Sequence, residues 1–307
     1  MRETVFGAYG LTKRYRKTVA LDCVDMAVKK SDIYGFIGEN GAGKTTLIRI
    51  LSGLAMKTSG EISLNGESAE REVARQRQRV GFIVETPAAY PYMTAAENLE
   101  VQRLQRGIPG KSCIERSLKA TGLSDVGKKK ARDFSLGMKQ RLGLAMALLS
   151  EPEFLVLDEP VNGLDPTGIV EFREILKKLN KERGVTILIS SHLLSELYML
   201  ATCFGFIHKG KLLEQISVAE LDERCKKHLA IKVDDPGKAV FLLENKLLIK
   251  RFEAMPNKTI KVYERLGESA LISRELILGG VMVEDMTTKG DDLEAYYMRL
   301  IGGNSNA

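Results

Sequence analysis

Gly38-Glu39-Asn40-Gly41-Ala42-Gly43-Lys44-Thr45-Thr46 fits the pattern G-x-x-x-x-G-K-[ST] and decides the fold. A short apolar run, Ile33–Ile37, precedes it, and an apolar stretch, Thr45–Leu51, follows it and stops at Gly53. This order predicts a buried strand, a glycine-rich turn and a helix. The glycines let the backbone fold back so that several N–H groups converge on one anion. The helix N-terminus adds partial positive charge, the Lys44 ammonium adds a full one, and Thr45 offers a hydroxyl to Mg²⁺. The stretch reads as a cradle for a triphosphate.

Composition narrows the setting of that cradle. A chain of 307 residues, 44% hydrophobic and 28% charged, has core enough for one large domain and a small one, or for two domains. Cys23, Cys113, Cys203 and Cys225 are scattered, with no C-x-x-C and no histidine at metal spacing, so reduced thiols are expected. The start at Met1 shows no signal-peptide pattern, and no uncharged apolar run reaches eighteen residues. Any membrane role is therefore expected to come through a partner. The 46 basic residues face 40 acidic ones, and the basic clusters (Lys128-Lys129-Lys130, Lys226-Lys227) are short, so no nucleic-acid partner is expected.

Outward from the cradle, residues 4–30 alternate as strands do, and Ile62–Leu64 runs into a tight turn at Asn65-Gly66. Val80–Val84 is a further strand. Thr94-x-x-Glu97 and Ser112-x-x-Glu115 read as capping boxes opening helices that stop near Gly107 and at Gly122, and Ser135 caps a third through Leu149. Phe154–Leu157 and Val185–Ile189 are nearly all apolar, as strands covered on both faces must be. Between them Asp165-Pro166 starts a helix that Gly184 ends. Strands alternating with helices imply an α/β core. After about residue 216 the order is strand (Leu229–Val233), helix (Lys238–Asn245), hairpin (Ile249–Val262, turning at Pro256-Asn257), helix (Ser269–Leu278), strand (Val281–Glu284) and a final helix (Asp292–Leu300). This β-α-β-β-α-β order suits a small ferredoxin-like α+β module.

The apolar run Phe154–Leu157 ends in Asp158-Glu159, which places two carboxylates at the sheet edge where ligands of open α/β sheets sit. Asp158 is a candidate to hold Mg²⁺, and Glu159 to polarise an attacking water. Between cradle and carboxylates, Phe134-Ser135-Leu136-Gly137-Met138-Lys139-Gln140-Arg141 starts a helix with a serine and a glycine, an anion-friendly N-terminus.

Taken in order, the phosphate loop, this segment, the run ending Asp158-Glu159-Pro160, then Asn162-Gly163-Leu164-Asp165 and Ser191-His192 resemble the ATP-binding cassette (ABC) ATPases. The resemblance spans roughly residues 4–225. It implies a P-loop NTPase cassette with a RecA-like parallel-sheet core, an N-terminal antiparallel β part and a helical subdomain (about 86–150). The ATP-binding domain would be 1–220 and the accessory α+β domain 221–307.

The resemblance further implies ATP and Mg²⁺ as ligands, with residues Gly38 to Thr46 on the phosphates. Tyr15 would stack on adenine, Glu159, His192 and Lys44 would be catalytic, and Thr45, Asp158 and Glu85 would lie at the metal. Ser135, Gly137 and Met138 would meet the nucleotide of a second copy in a head-to-tail dimer. Phe134, Leu136 and Met138 depart from the family's Leu-Ser-Gly-Gly-Gln. Glu85 departs from a glutamine that reaches Mg²⁺ and links the site to a membrane subunit. A glutamate there favours metal ligation over amide donation, and is similar to the bacitracin- and lantibiotic-immunity branch of exporters.

Pro87, Tyr90, Pro91, Tyr92 and Met93 form an apolar loop suited either to docking a partner helix or, for Tyr90 and Tyr92, to core packing under the helical subdomain. The implied role is an ATP-hydrolysing subunit on the cytoplasmic face of the membrane, powering export of a peptide antibiotic or other amphiphile by separate multi-spanning permease subunits. The alternatives are a soluble cassette ATPase acting on nucleic acid or ribosomes, and a regulator that binds ATP without hydrolysing it. Against the first, the chain has one motif set and no sustained heptads; against the second, Asp158, Glu159 and His192 are all present.

Overall fold

A computed structural model describes residues 3–85, 88–225, 227–289 and 293–303. The chain divides into two compact units, Met1–Val218 and Ala219–Ala307. The first contains β1 (Thr4–Tyr15), β2 (Thr18–Lys29), β3 (Ile33–Ile37), α1 (Lys44–Ser52), β4 (Ser59–Leu64), α2 (Glu70–Arg77), β5 (Val80–Ile83), α3 (Ala95–Gln105), α4 (Ser112–Ala120), α5 (Leu136–Leu148), β6 (Phe154–Asp158), α6 (Pro166–Arg183), β7 (Thr186–Ser191), α7 (Leu194–Tyr198), β8 (Cys203–His208) and β9 (Lys211–Ser217).

The central sheet runs β5-β6-β7-β3-β8-β9. Neighbours from β5 to β8 are parallel, and β9 joins antiparallel at the edge. Every residue of β3, β6 and β7 is buried, which is why these strands read as continuous apolar runs rather than as alternation. A second, antiparallel sheet, β2-β1-β4, packs its apolar face with α1 and part of the central sheet in one core that includes Phe6, Leu11, Val24, Phe36, Leu47 and Val156. Asn65 and Gly66 both take positive φ (50° and 81°), which closes the predicted tight turn after β4.

The buried Tyr34 ties the two sheets together: its hydroxyl meets Gln215 Oε1 at 3.1 Å, while the Gln215 amide donates to Ala27 O at 2.9 Å. Burial pushes the Tyr34 phenol well above its ordinary pKa, so it stays a neutral donor. The segments α2, β8 and β9 were not anticipated from sequence. EREVARQR of α2 buries only Val73, so it has no apolar stripe to read.

Helices α3, α4 and α5 enclose a core of their own around Leu99, Ile114, Leu142, Ala145 and Leu149. Thr94 forms the predicted capping box: its Oγ1 accepts from Glu97 N at 3.2 Å and Glu97 Oε2 accepts from Thr94 N at 2.6 Å. The second predicted box does not form. Lys111 is the N-cap residue of α4 and Ser112 is already helical, with its hydroxyl accepting from Arg116 Nη1 at 2.9 Å one turn along. Ser135 caps α5, accepting from Met138 N at 3.2 Å, and Asp165 with Pro166 opens α6, which ends at Gly184 (φ 65°).

The second unit contains α8 (Val218–Cys225), β10 (His228–Val233), α9 (Pro236–Asn245), β11 (Phe252–Ala254), β12 (Thr259–Val262), α10 (Ser269–Leu278), β13 (Val283–Lys289) and α11 (Leu293–Gly303). Its sheet runs β11-β12-β10-β13 with every pair antiparallel, the ferredoxin-like order. Ile231, Val233, Ile260 and Val262 pack there against Leu243 of α9 and Ile272 and Leu276 of α10. The predicted first residue of the last helix, Asp292, lies outside the described residues, as does Lys226.

One buried amide organises the entrance to α3. Asn98 is fully buried; its Oδ1 accepts from Tyr90 N at 2.6 Å, and its Nδ2 donates to Tyr90 O at 3.1 Å and Thr94 O at 2.9 Å. Asn98→Ala strands these groups and is expected to destabilise the protein by about 2–4 kcal/mol. Urea unfolding followed by circular dichroism checks this; an unchanged midpoint would refute it.

Candidate functional site

The parallel register brings four strand ends to one edge. Ile37 lies beside Ser191, Asp158 beside Ser190, and Ile83 beside Leu157. The chain leaving those strands therefore delivers Gly38, Glu85, Glu159 and His192 to the same side of the sheet.

Gly38 N donates to Ser191 O at 3.3 Å, Ala42 N to Glu39 O at 3.1 Å, and Gly210 N to Ala42 O at 2.9 Å, so the loop of residues 38–43 is pinned at both ends. Gly43 caps α1 with φ 115°, and a Cβ there would lie 2.6 Å from Ala20 O. Only glycine fits. No acidic side chain sits in the first turn of α1, which leaves its positive end uncompensated. Lys44 is 4% exposed, and its ammonium donates to Gly38 O at 2.5 Å and Glu39 O at 3.1 Å. Thr45 and Thr46 follow it, half-buried.

Asp158 is buried and accepts from Ser190 Oγ at 2.6 Å. The same Ser190 oxygen accepts from Glu159 N at 2.9 Å. Glu159 turns off β6 with φ 45°, and its carboxylate sits between the Lys44 ammonium and the His192 ring: Oε1 is 3.1 Å from Lys44 Nζ, and Oε2 is 2.8 Å from His192 Nδ1. The predicted Lys44, Asp158, Glu159 and His192 thus come together. Beside them, Glu39 Oε2 lies 3.6 Å from Nδ1 of His208 at the end of β8.

The other predicted residues occupy distinct places. Tyr15 ends β1 with its ring 42% exposed, 4.7 Å from the Lys13 ammonium. It pairs with Thr18 of β2, two residues before the Ala20 carbonyl that crowds Gly43, so the partner strand leads from Tyr15 to the loop. Glu85 leaves β5 with φ 59°, and its carboxylate pairs with Arg49 of α1.

Ser135, Gly137 and Met138 form the start of α5, and among the described residues no hydrogen bond or ion pair joins them to the phosphate loop. A Cβ on Gly137 would find its nearest neighbour 4.0 Å away at Leu164, so this helix start is open to a close approach. Pro87 lies outside the described residues. Tyr90 and Tyr92 are exposed (44% and 72%) rather than packed in a core, Pro91 is exposed, Met93 is half-buried, and Arg132 lies over the Tyr92 ring at 5.3 Å.

Sequence reading missed Ser190 and Arg49. The only signal for Ser190 was a hydroxyl residue ending an otherwise apolar strand. Arg49 gave none, since its partner is 36 residues away.

A glycine-rich loop opening a helix, beside a strand ending in Asp-Glu and a second ending before a histidine, defines a P-loop nucleoside triphosphatase of the cassette type. Residues 21–162 match the ABC transporter family. The chain is 44% identical to the bacitracin transport ATP-binding protein BcrA of Bacillus licheniformis, across 98% of this chain and 99% of that one. It is 45% identical to the lantibiotic transport ATP-binding protein SrtF of Streptococcus pyogenes, across 66% and 86% respectively. Among solved structures, an ATP-binding subunit of an ABC transporter superposes with a TM-score of 0.63 at 29% identity, covering 72% of this chain and 92% of that one. A dimeric ATP-binding cassette bound to ADP and Pi shares the fold at a TM-score of 0.63 and 23% identity, covering 69% and 98%. This chain belongs to the ATP-binding subunits of ABC transporters and is an ATP-hydrolysing enzyme.

Ser190 holds both acids in register, so Ser190→Ala should lower kcat by about 10- to 100-fold, the worth of one or two hydrogen bonds to charged or catalytic groups. ATP affinity should change little. Steady-state kinetics test this, and a rise in KM with kcat intact would show that the hydroxyl serves binding instead.

Proposed function

We propose that the chain binds ATP with Mg²⁺ at the edge formed by residues 38–46, Asp158, Glu159 and His192, and that a second copy completes the site. The single observation that carries this is the Glu159 carboxylate held between the Lys44 ammonium and the His192 ring. Triphosphate oxygens are better partners for a buried ammonium than carbonyls are, and an ammonium drawn to them frees Glu159 to accept a proton from water. His192 then orients the carboxylate and donates toward the terminal phosphate. Tyr15 supports the adenine.

The oxygen donors fit Mg²⁺. The Thr45 hydroxyl and the Asp158 carboxylate are hard ligands, and Ser190 fixes the carboxylate's orientation. Among the described residues no group of three or more His, Cys, Asp or Glu is placed to hold a metal. When bound, Mg²⁺ neutralises charge on the phosphates. Glu85 stands as a further oxygen ligand.

In the dimer, Ser135 and Gly137 at the open start of α5 meet the partner's nucleotide, and the helix end favours the anion. Catalysis is then positioning plus electrostatic stabilisation of the transferring phosphoryl group.

Among the described residues no helix is long and apolar enough to cross a membrane; the transport ATP-binding relatives support spanning subunits on separate chains. The exposed Tyr92 lines a groove of about 690 Å³ whose apolar floor of Ala96, Val101, Ile114 and Leu118 is flanked by charged side chains such as Glu100 and Lys111, a surface fitted to an amphipathic helix end of the permease. Bacitracin and lantibiotic transport by the relatives supports export of a peptide antibiotic from the cytoplasmic face, and hence antibiotic resistance.

Glu159→Gln should keep ATP binding, because removing a negative charge from beside Lys44 favours the anion. It should lose turnover by at least about 10²-fold and accumulate as an ATP-bound dimer in size-exclusion chromatography. Normal phosphate release by this variant would sink the assignment of Glu159 as base.

A further inference from the structure

Helix α1 carries a second cation that the nucleotide site does not use. Arg49 lies on the same helix as Lys44, and its guanidinium is paired with the Glu85 carboxylate. The other guanidinium at this end of α1, on Arg77, is committed to the carbonyls of Leu51 (2.8 Å) and Ile50 (3.2 Å). Glu85 also holds a left-handed backbone (φ 59°), a conformation that a non-glycine residue adopts only when its surroundings enforce it. The chain beyond it leads to the exposed Tyr90 and Tyr92.

We infer that Arg49 is a positioning residue for Glu85, and that the Glu85 carboxylate exchanges between Arg49 and the divalent cation that accompanies the nucleotide. The inference rests on the reading above, in which Glu85 reaches that cation.

Charge requires such a partner. A free carboxylate beside a triphosphate is repelled, whereas one held by a guanidinium is neutralised until a stronger cation arrives. Strength permits the exchange. The two side chains are 44% and 56% exposed, and a pair so open to water biases an equilibrium only about two- to fivefold. That holds the Glu85 side chain without locking it. Connectivity gives the exchange a consequence, because α1 begins at the lysine that holds the phosphates. Release of Glu85 by Arg49 therefore frees that side chain from the phosphate-binding helix at the moment the metal–nucleotide binds. A glutamine at this position keeps the reach but has no charge to be held.

The test uses the full-length protein with Mn²⁺ and a non-hydrolysable ATP analogue, reading the free-ion electron paramagnetic resonance signal. Arg49→Ala should tighten Mn²⁺ by about two- to fivefold by removing the competitor. Arg49→Lys should restore the wild-type curve, and Glu85→Gln should weaken binding. Arg49→Ala placed on Glu85→Gln should then have no further effect.

An equal shift in both backgrounds would mean that Arg49 acts as a bare charge. No shift in either would mean that it does not act at all. Both results overturn the inference while leaving the nucleotide site standing. A wild-type protein that binds no Mn²⁺–nucleotide would overturn the site itself, and the inference with it. Arg49→Gln guards against misfolding in the alanine variant. What Arg49 gives the end of α1 is its backbone carbonyl, which accepts from Ala55 N at 3.0 Å and Ser52 Oγ at 3.1 Å in any variant.

Discussion

A buried ammonium must be satisfied on every side, and the Lys44 side chain, 4% exposed, imposes that condition on everything around it. Its partners are two carbonyls of its own loop and the Glu159 carboxylate. To present those carbonyls the chain must turn back on itself within residues 38–43, which demands the αL glycines at 41 and 43. To present the carboxylate, β6 must end level with the loop. Both hold because β3, β7 and β6 are parallel and in register.

That register also explains why the groups gathered at this edge come from distant stretches of sequence. In a parallel sheet every strand ends on the same edge, so each crossover returns the chain to the far side and the next strand brings a new residue to the site. The antiparallel β9 then closes the edge beyond β8, and its Gln215 reaches across to β2 and Tyr34. The small β2-β1-β4 sheet is thereby held where Ala20 and Leu21 crowd Gly43. The second unit builds its core by alternation on a sheet packed on its helices, and so stands apart in physical design.

The parts of the site legible in sequence were those whose chemistry is local. A glycine-rich loop, a buried strand ending in two acids, and a serine opening a helix each declare themselves within about ten residues. What could not be read depends on a distant partner. Ser190 matters because β7 lies beside β6, and Arg49 because β5 ends near α1. The capping boxes show the limit even for local signals. Thr94 and Ser112 share the same spacing to a glutamate. Yet Thr94 is held extended beside Lys130, whose ammonium lies 3.2 Å from Glu97, whereas Ser112 finds Arg116 one turn on. Its hydroxyl was taken by a side chain the pattern does not mention.

Two carboxylates leave adjacent strands of this sheet in the same strained way, Glu85 at φ 59° and Glu159 at φ 45°, and each meets a cation from one helix. The αL backbone is disfavoured for residues with a Cβ by about 1–2 kcal/mol, and at this edge each of the two turns is accompanied by an ion pair that offsets part of that cost. Helix α1 supplies both cations, Lys44 from its first turn and Arg49 from its last. The two pairs differ in solvent exposure and therefore in strength. Lys44–Glu159 is shielded and holds the chemistry in place, while Arg49–Glu85 is open to water and yields to competition. A glutamate at position 85 thus has a physical counterpart within the chain itself: the Arg49 guanidinium that pairs with its carboxylate.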